Sequence, residues 1–372
     1  MPIRILIVAN TGWYVNNFRR STILAFLARG DYVAVICPEN TSEELLEDLD
    51  VQVKTFPLDG AGTNPLVELR SLFSIIMGVK AISPDVVFTF NPKTNLYGLL
   101  SCTILCIPCI PNVSGVGNAS QLAGWKGMVY RALSKVAYGR ATKVFFQNDA
   151  DRDLFHQLGV LERVPHQCLP GSGIDLLRYA PLKRNPTRPF RFFLACRLIR
   201  QKGIMEYLEA ASIVAKATNR VVEFWLAGVP DNSARGVSEM TIRKFVDNKA
   251  IQFLGQVNDM ASVISKVDCA VLPTYYPEGV PRFLLEGAAA GKVLITTDRP
   301  GCRDVIEPGE NGYFVLPESV ESLVSMMEQV LSLPDSDLER MGFRSREIAV
   351  KKFDEQLVLN AYLEAADRAL FV

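Results

Sequence analysis

Short apolar runs alternate with amphipathic stretches along the whole 372-residue chain. In the first part, Arg4–Ala9, Val33–Cys37, Val51–Phe56, Val86–Phe90, Cys109–Val113 and Lys143–Gln147 read as strands, with helical patterns between them. The runs are continuous rather than alternating, which predicts strands covered on both faces, as in a parallel sheet. Strand–helix–strand repetition builds βαβ units and hence a doubly wound, Rossmann-like α/β domain. The pattern then restarts. Beyond Leu169–Gly173 and the polar, Pro-containing stretch Pro181–Pro189, strands are predicted at Phe190–Cys196, Val222–Ala227, Ile251–Phe253, Cys269–Pro273, Val293–Thr296 and Gly312–Val315. The boundary falls near Pro170, giving domains 1–170 and 171–353. Two α/β halves of similar size predict a ligand cleft between them.

Charge narrows the function classes. Lys plus Arg number 40 against 40 Asp plus Glu, which excludes a globally basic nucleic-acid binder. Eight scattered Cys form no framework, so reduced thiols and a cytoplasmic setting are expected. The opening decapeptide MPIRILIVAN lacks a long apolar region and a small-residue cleavage site, so no signal peptide is expected. The apolar stretch Leu96–Ile110 is broken by Gly98, Ser101, Thr103 and Pro108. It falls short of the roughly 20 residues of a membrane-spanning helix.

Candidate chemistry collects at predicted strand ends, where open α/β sheets bind ligands. Arg197 and Lys202 follow the first strand of the second half. Together they can neutralise a diphosphate, Arg with planar paired donors and Lys as a point charge; two solvated surface cations are the alternative. In Tyr275–Glu286 a strand gives way to a Gly/Pro turn and a helix starting at about Pro281, with Pro at its first position. The amides of Gly279, Val280 and Arg282 then stand at a helix N-terminus, a ready anion site. Glu278 in the turn and Glu286 in the helix can face one cleft and accept from sugar hydroxyls. Glu286 lies in the apolar stretch Phe283–Ala290, and a buried carboxylate needs a partner. In the first half, Gly12, Trp13 and Asn16 follow the first strand, and Asn112, Ser114 and Gly117 lie at the end of another. Either turn can present polar groups to a ligand; tight turning is the plain alternative.

Two signals are set aside. Asp149 and Asp151 form a D-x-D pattern that can hold a divalent cation, but they open a helix, where acids complement the dipole and cap amides. Cys102, Cys106 and Cys109 lie in an apolar segment without a fourth Cys or a nearby His; the only histidines are His156 and His166. Buried thiols are the expected reading. Between Asp85 and Asp149 there is no acid, whereas Lys93, Lys126, Arg131, Lys135, Arg140 and Lys143 fall there. Segment 122–143 mixes the last five of these cations with Trp125, Met128 and Tyr130, which suits an anionic membrane surface; a helix packed on the sheet is the alternative.

These residues resemble glycosyltransferase family 4, retaining enzymes of the GT-B fold, which consists of two Rossmann-like domains facing a cleft. The carriers are the Glu278–Glu286 pair (the E-x7-E signature), the Arg197–Gly203 turn, Gly171–Asp175 at the junction, and Gly301–Gly312. PEGVPRFLLEGAAAGK and NVSGVG are similar to the branch that builds lipid-linked oligosaccharides, O-antigen and capsule units in bacteria.

The resemblance implies a UDP-sugar donor on the second domain and a polyprenyl-diphosphate-linked acceptor on the first, with no metal or other cofactor. Helix 354–372 would complete the first domain. Arg197 and Lys202 would hold the diphosphate, with Gly12 and the Gly279–Val280–Pro281–Arg282 turn. Glu286 would hold the ribose and Glu278 the transferred sugar, and Val257 would lie by the base. Trp13, Asn16, Asn112 and Ser114 would serve the acceptor. The enzyme would work on the inner face of the cell membrane without crossing it. Relatives place a His in the turn matching Asn112–Gly115, which is absent here. A nucleotide-sugar hydrolase or epimerase of the same fold and a non-catalytic nucleotide-sugar-binding module are the competing readings. An NAD-dependent dehydrogenase lacks its glycine fingerprint.

Overall fold

The computed structural model describes residues 2–38, 46–57, 65–115, 124–231, 235–246 and 251–371. The chain divides into two compact units, Met1–Ser172 with Gln356–Val372, and Gly173–Glu355.

The first unit is a seven-stranded sheet of β1 (Arg4–Val8), β2 (Tyr32–Pro38), β3 (Gln52–Phe56), β4 (Val86–Phe90), β5 (Cys109–Val113), β6 (Val144–Phe146) and β7 (His166–Cys168). Its order is β3-β2-β1-β4-β5-β6-β7 and every pairing is parallel. Successive residues point to opposite faces, so Ile5 and Ile7 join one apolar cluster while Leu6 and Val8 join another. Covering both faces is what makes the strand runs continuous in sequence. β7 has no counterpart among the predicted strands. It is a three-residue, partly exposed edge strand containing His and Gln, and leaves no apolar run.

Helix Glu355–Ala369 lays Val358, Ala361, Tyr362, Ala365, Ala366 and Ala369 on the first of those clusters. Beneath it lies Arg19, fully buried. Its guanidinium donates to the hydroxyls of Tyr362 at 3.1 Å and Tyr14 at 2.8 Å, and stands 4.2 Å from the centre of the Phe90 ring. Hydroxyl dipoles and an aromatic face thus offset the cost of burying this charge.

The second unit is a six-stranded sheet of β8 (Phe190–Ala195), β9 (Val222–Ala227), β10 (Ile251–Phe253), β11 (Cys269–Leu272), β12 (Val293–Thr297) and β13 (Gly312–Val315). The order is β10-β9-β8-β11-β12-β13, again all parallel. Chain direction across the sheet reverses between β8 and β11, the topological switch point where such sheets bind ligands. The polar stretch preceding β8 is anchored. Arg184 and Arg188 donate to buried Asp268, at 2.9 Å and 2.7 Å, just ahead of β11.

Candidate active site

The loops leaving β8 and β11 at the switch point are stitched into one surface. Lys202 closes a short 3-10 turn, Arg200–Lys202, and Gly203 follows at φ 76°. A Cβ at Gly203 would come 2.3 Å from the Pro273 carbonyl oxygen, so only glycine admits this approach. The Gln201 carbonyl then accepts from the amides of Tyr275 at 2.9 Å and Tyr276 at 3.1 Å and from the Thr274 hydroxyl at 3.2 Å. Gly301, at φ 81° beyond β12, packs on the same turn; a Cβ there would fall 1.5 Å from the Gly279 carbonyl oxygen.

This scaffold brings Lys202 and Glu278 together. Lys202 Nζ donates to Glu278 Oε1, and the single Thr274 hydroxyl proton is shared between the Gln201 carbonyl and this same oxygen, 3.1 Å away. Burial is the largest single influence and works against the charge on Lys202, but Glu278 with Cys196 outweighs it and holds the ammonium above its ordinary value. Arg197 is exposed, its Nε 4.0 Å from Asp231 and its guanidinium 5.7 Å from the Tyr276 ring centre. The neighbouring thiols are quiet, since burial pushes Cys196 and Cys302 up to about 12.

Glu286 sits in the helix Arg282–Ala289 and is buried. Tyr179 donates to its Oε1 at 2.9 Å and Arg282 Nε approaches the same oxygen at 3.2 Å. Burial pushes this carboxyl above its usual range, while Arg282 and Tyr179 draw it down. The expected start of this helix shifts by one residue. Pro281 is the extended N-cap (φ −64°, ψ 119°), and its carbonyl accepts from the amides of Leu284 and Leu285. Gly279 and Val280 are buried in the preceding turn. Val257 is half-buried after β10, packed on the core of the unit.

In the first unit, Gly12 is the first residue of the helix Gly12–Phe18, which is capped by the Thr11 side chain accepting from the Tyr14 amide. Trp13 is 44% exposed on that helix and Asn16 is half-buried, its side-chain oxygen accepting from Arg20 at 3.1 Å. Asn112 is not presented from the turn at the end of its strand. It lies within β5 at 1% exposure and donates its amide to the Tyr362 hydroxyl, because the strand's pleat turns it inward. Ser114 is half-buried just beyond; Gly117 lies outside the described residues.

The D-x-D acids occupy the first turn of the helix Asp149–Gln157, where the cap is Asn148, whose side chain accepts from the Asp151 amide. Asp149 pairs with Arg152 at 2.6 Å. Of the three clustered cysteines, Cys102 and Cys109 are buried, but Cys106 is exposed where the helix Pro92–Leu105 ends at φ 55°. The basic segment forms the helix Gly124–Tyr138 with Met128 and Val136 exposed beside Arg131 and Lys135. The side chains of Trp125, Lys126 and Tyr130 lie outside the described residues. Among the described residues no helix is long and apolar enough to cross a membrane.

Tyr179, Gln201 and Thr274 were not singled out from the sequence. The burial expected of Glu286 demanded some partner, yet nothing local pointed to Tyr179, 107 residues away.

Comparison with known proteins covers both units. Residues 4–148 match the model for "Glycosyl transferase 4-like" proteins and residues 181–347 the model for "Glycosyl transferases group 1". The chain is 25% identical to the N,N'-diacetylbacillosaminyl-diphospho-undecaprenol alpha-1,3-N-acetylgalactosaminyltransferase of Campylobacter jejuni, over 99% of both chains. It is 23% identical to the UDP-Gal:alpha-D-GlcNAc-diphosphoundecaprenol alpha-1,3-galactosyltransferase of Escherichia coli, over 87% of this chain and 85% of that one. Among solved structures, Anabaena Alr3699/HepE in complex with UDP and glucose superposes with a TM-score of 0.79 at 16% identity, covering 98% of this chain and 100% of that one.

Proposed function

Given that the chain belongs to the glycosyltransferases of GT-B fold that these models describe, we propose that it moves a hexose or N-acetylhexosamine from a UDP-sugar to a polyprenyl-diphosphate-linked saccharide in bacterial glycan assembly. The reaction retains anomeric configuration and uses no metal. The observation that carries this reading is the paired Lys202 and Glu278 at the switch point, on loops locked by Gln201, Gly203 and Gly301. The acceptor class rests on the names of the Campylobacter and Escherichia relatives. The donor class rests on the UDP-bound Anabaena protein of like fold.

As the donor bond breaks, charge builds on the departing diphosphate and the sugar gains oxocarbenium character. Arg197, Lys202 and the amides of the Gly279–Arg282 turn meet that charge. A preorganised donor of this kind contributes about 3 kcal/mol to the rate. Glu278 orients the sugar, Glu286 accepts from the ribose, and Val257 flanks the base. Acceptor attack comes from the face the diphosphate leaves. A leaving phosphate oxygen takes the acceptor proton, so no protein nucleophile is required, unlike hydrolysis between two carboxylates. On the first unit, Trp13, Asn16 and Ser114 serve the acceptor, and Asn112 supports them from the core through Tyr362.

The enzyme works at the cytoplasmic face of the membrane. Supporting this, Leu66, Leu69, Phe73 and Met77 form an exposed apolar stripe on the helix Pro65–Ile82, besides the exposed Met128 and Val136. Liposome binding unchanged by Phe73→Asp and by charge reversal at Arg131 and Lys135 would remove this element.

Calorimetric titration with UDP in EDTA, beside GDP and NADH, tests the donor reading. UDP binding that survives chelation and weakens in Arg197→Ala is expected; preference for GDP changes the donor class, and tight NADH binding overturns the site. Glu278→Ala is expected to abolish sugar transfer while the donor still binds, which separates a transferase from a binding module.

A further inference from the structure

The chain contains two histidines, and the first unit brings them into contact. His156 stands in the last turn of the helix Asp149–Gln157, and His166 opens the edge strand β7. Their Nε2 atoms are 3.2 Å apart, with ring planes at 78°. The other nitrogen of His166, Nδ1, lies 3.0 Å from the Val164 carbonyl oxygen. A carbonyl can only accept, so Nδ1 carries the proton and Nε2 of the neutral ring presents a lone pair toward His156. A carbonyl on the far nitrogen is the arrangement that orients imidazoles bound to metals. Two imidazole nitrogens at the usual bond length from one tetrahedral cation stand about 3.3 Å apart, close to the separation seen here.

We propose that His156 and His166 form a two-imidazole site for a borderline divalent transition cation such as zinc, copper(II) or nickel(II). Nitrogen donors disfavour magnesium and calcium, which take oxygen ligands. Cys168 shares a face of β7 with His166, but its sulfur is turned to Arg152 at 3.9 Å. The nearby Asp149 and Asp153 are paired with the same arginine, at 2.6 Å and 2.8 Å. Among the described residues no group of three or more His, Cys, Asp or Glu side chains converges, so water completes the coordination and the site is weaker than a four-ligand structural one. Without metal, the Nε2 proton of His156 points to His166 Nε2; ligation moves it to His156 Nδ1, so both rings bind as neutral imidazoles. The site is separate from the proposed donor-binding residues, which include no histidine.

The test is calorimetric titration of the full chain with zinc, and with magnesium as control, in a Cys106→Ser background that removes the exposed thiol. One zinc per chain with micromolar affinity is expected, and no response to magnesium. His156→Gln and His166→Gln are each expected to weaken zinc binding about tenfold or more, with the circular dichroism melt and UDP affinity unchanged. Zinc affinity equal in the parent and both variants, or no binding to the parent at millimolar zinc, overturns the proposal.

Discussion

Replacing Tyr179 by Phe removes one hydroxyl and asks whether Glu286 is held as an ionised acceptor. The hydroxyl donates to Glu286 Oε1 at 2.9 Å, and Arg282 shares that oxygen. A hydrogen bond to a charged group contributes about 1.5–3 kcal/mol. Arg282 remains to compensate, so the lower end applies, about 1.5 kcal/mol. Burial already holds Glu286 above the ordinary carboxylate range, and the substitution moves its titration further up. A carboxyl raised in the folded state contributes stability that is fully present below its unfolded pKa and lost as pH rises through its folded pKa. The variant therefore matches the native protein most closely at acid pH and falls behind by about 1.5 kcal/mol at neutral pH. That is about 3–5 °C in the melt of a unit this size. The assay is thermal unfolding of both proteins from pH 4 to pH 8, with UDP titrations across the same range. On the proposed function the carboxylate is the stronger acceptor for the ribose, so the acid limb of UDP affinity also moves up. A melting difference that does not vary with pH refutes the electrostatic argument. An unmoved acid limb beside a pH-dependent melting difference refutes only the ribose role.

Three further outcomes are expected. Glu278→Gln should bind UDP at least as tightly as the native protein, because Lys202 is released, while transfer falls about 100-fold or more; weaker UDP binding in calorimetry would show that the pair organises the site rather than occupying Lys202. Gly301→Ala places a Cβ on the Gly279 carbonyl oxygen at a positive φ and should abolish UDP binding, so an unchanged affinity would show that this contact does not set the turn. Tyr362→Phe leaves the Arg19 and Asn112 donors without their shared acceptor. The cost is about 2–3 kcal/mol, read as a melting temperature lower by about 5 °C or more; a fall of less than about a degree is the contrary result.

The central strands were legible in the sequence because covering both faces writes a local signature. Val86–Phe90 and Cys109–Val113 coincide with the predicted runs. β7 was not legible, since an edge strand with a half-exposed His166 and an exposed Gln167 carries no apolar run. Asn112 shows a second limit. A polar residue near the end of a strand fits a turn or the pleat's inward phase equally well, and only the position of Tyr362 on a helix from the far end of the chain decides it. The charges Arg197, Lys202, Glu278 and Glu286 stood out by their place after apolar runs. Their pairing did not, because Lys202 and Glu278 are 76 residues apart in sequence and meet only through the β8–β11 neighbourhood.

That pairing also shapes how a donor must enter. Lys202 and Glu278 have side chains only 13% and 11% exposed, so neither charge can be left alone cheaply. Removing one partner of such a pair costs about 3–5 kcal/mol. On the proposed function the diphosphate takes Lys202 into a new ion pair, and Glu278, still touched by the Thr274 hydroxyl, gives up its contact with Lys202 at that moment. The sugar hydroxyls are then the donors that replace it. A nucleotide without a sugar engages Lys202 but brings Glu278 no hydroxyl donors, whereas the intact donor engages both. Recognition of the sugar is thereby linked to recognition of the phosphates through one carboxylate. The hydroxyl contacts to Glu278 are made by the complete donor and not by its nucleotide product, a difference that discriminates between them and favours release of UDP after transfer.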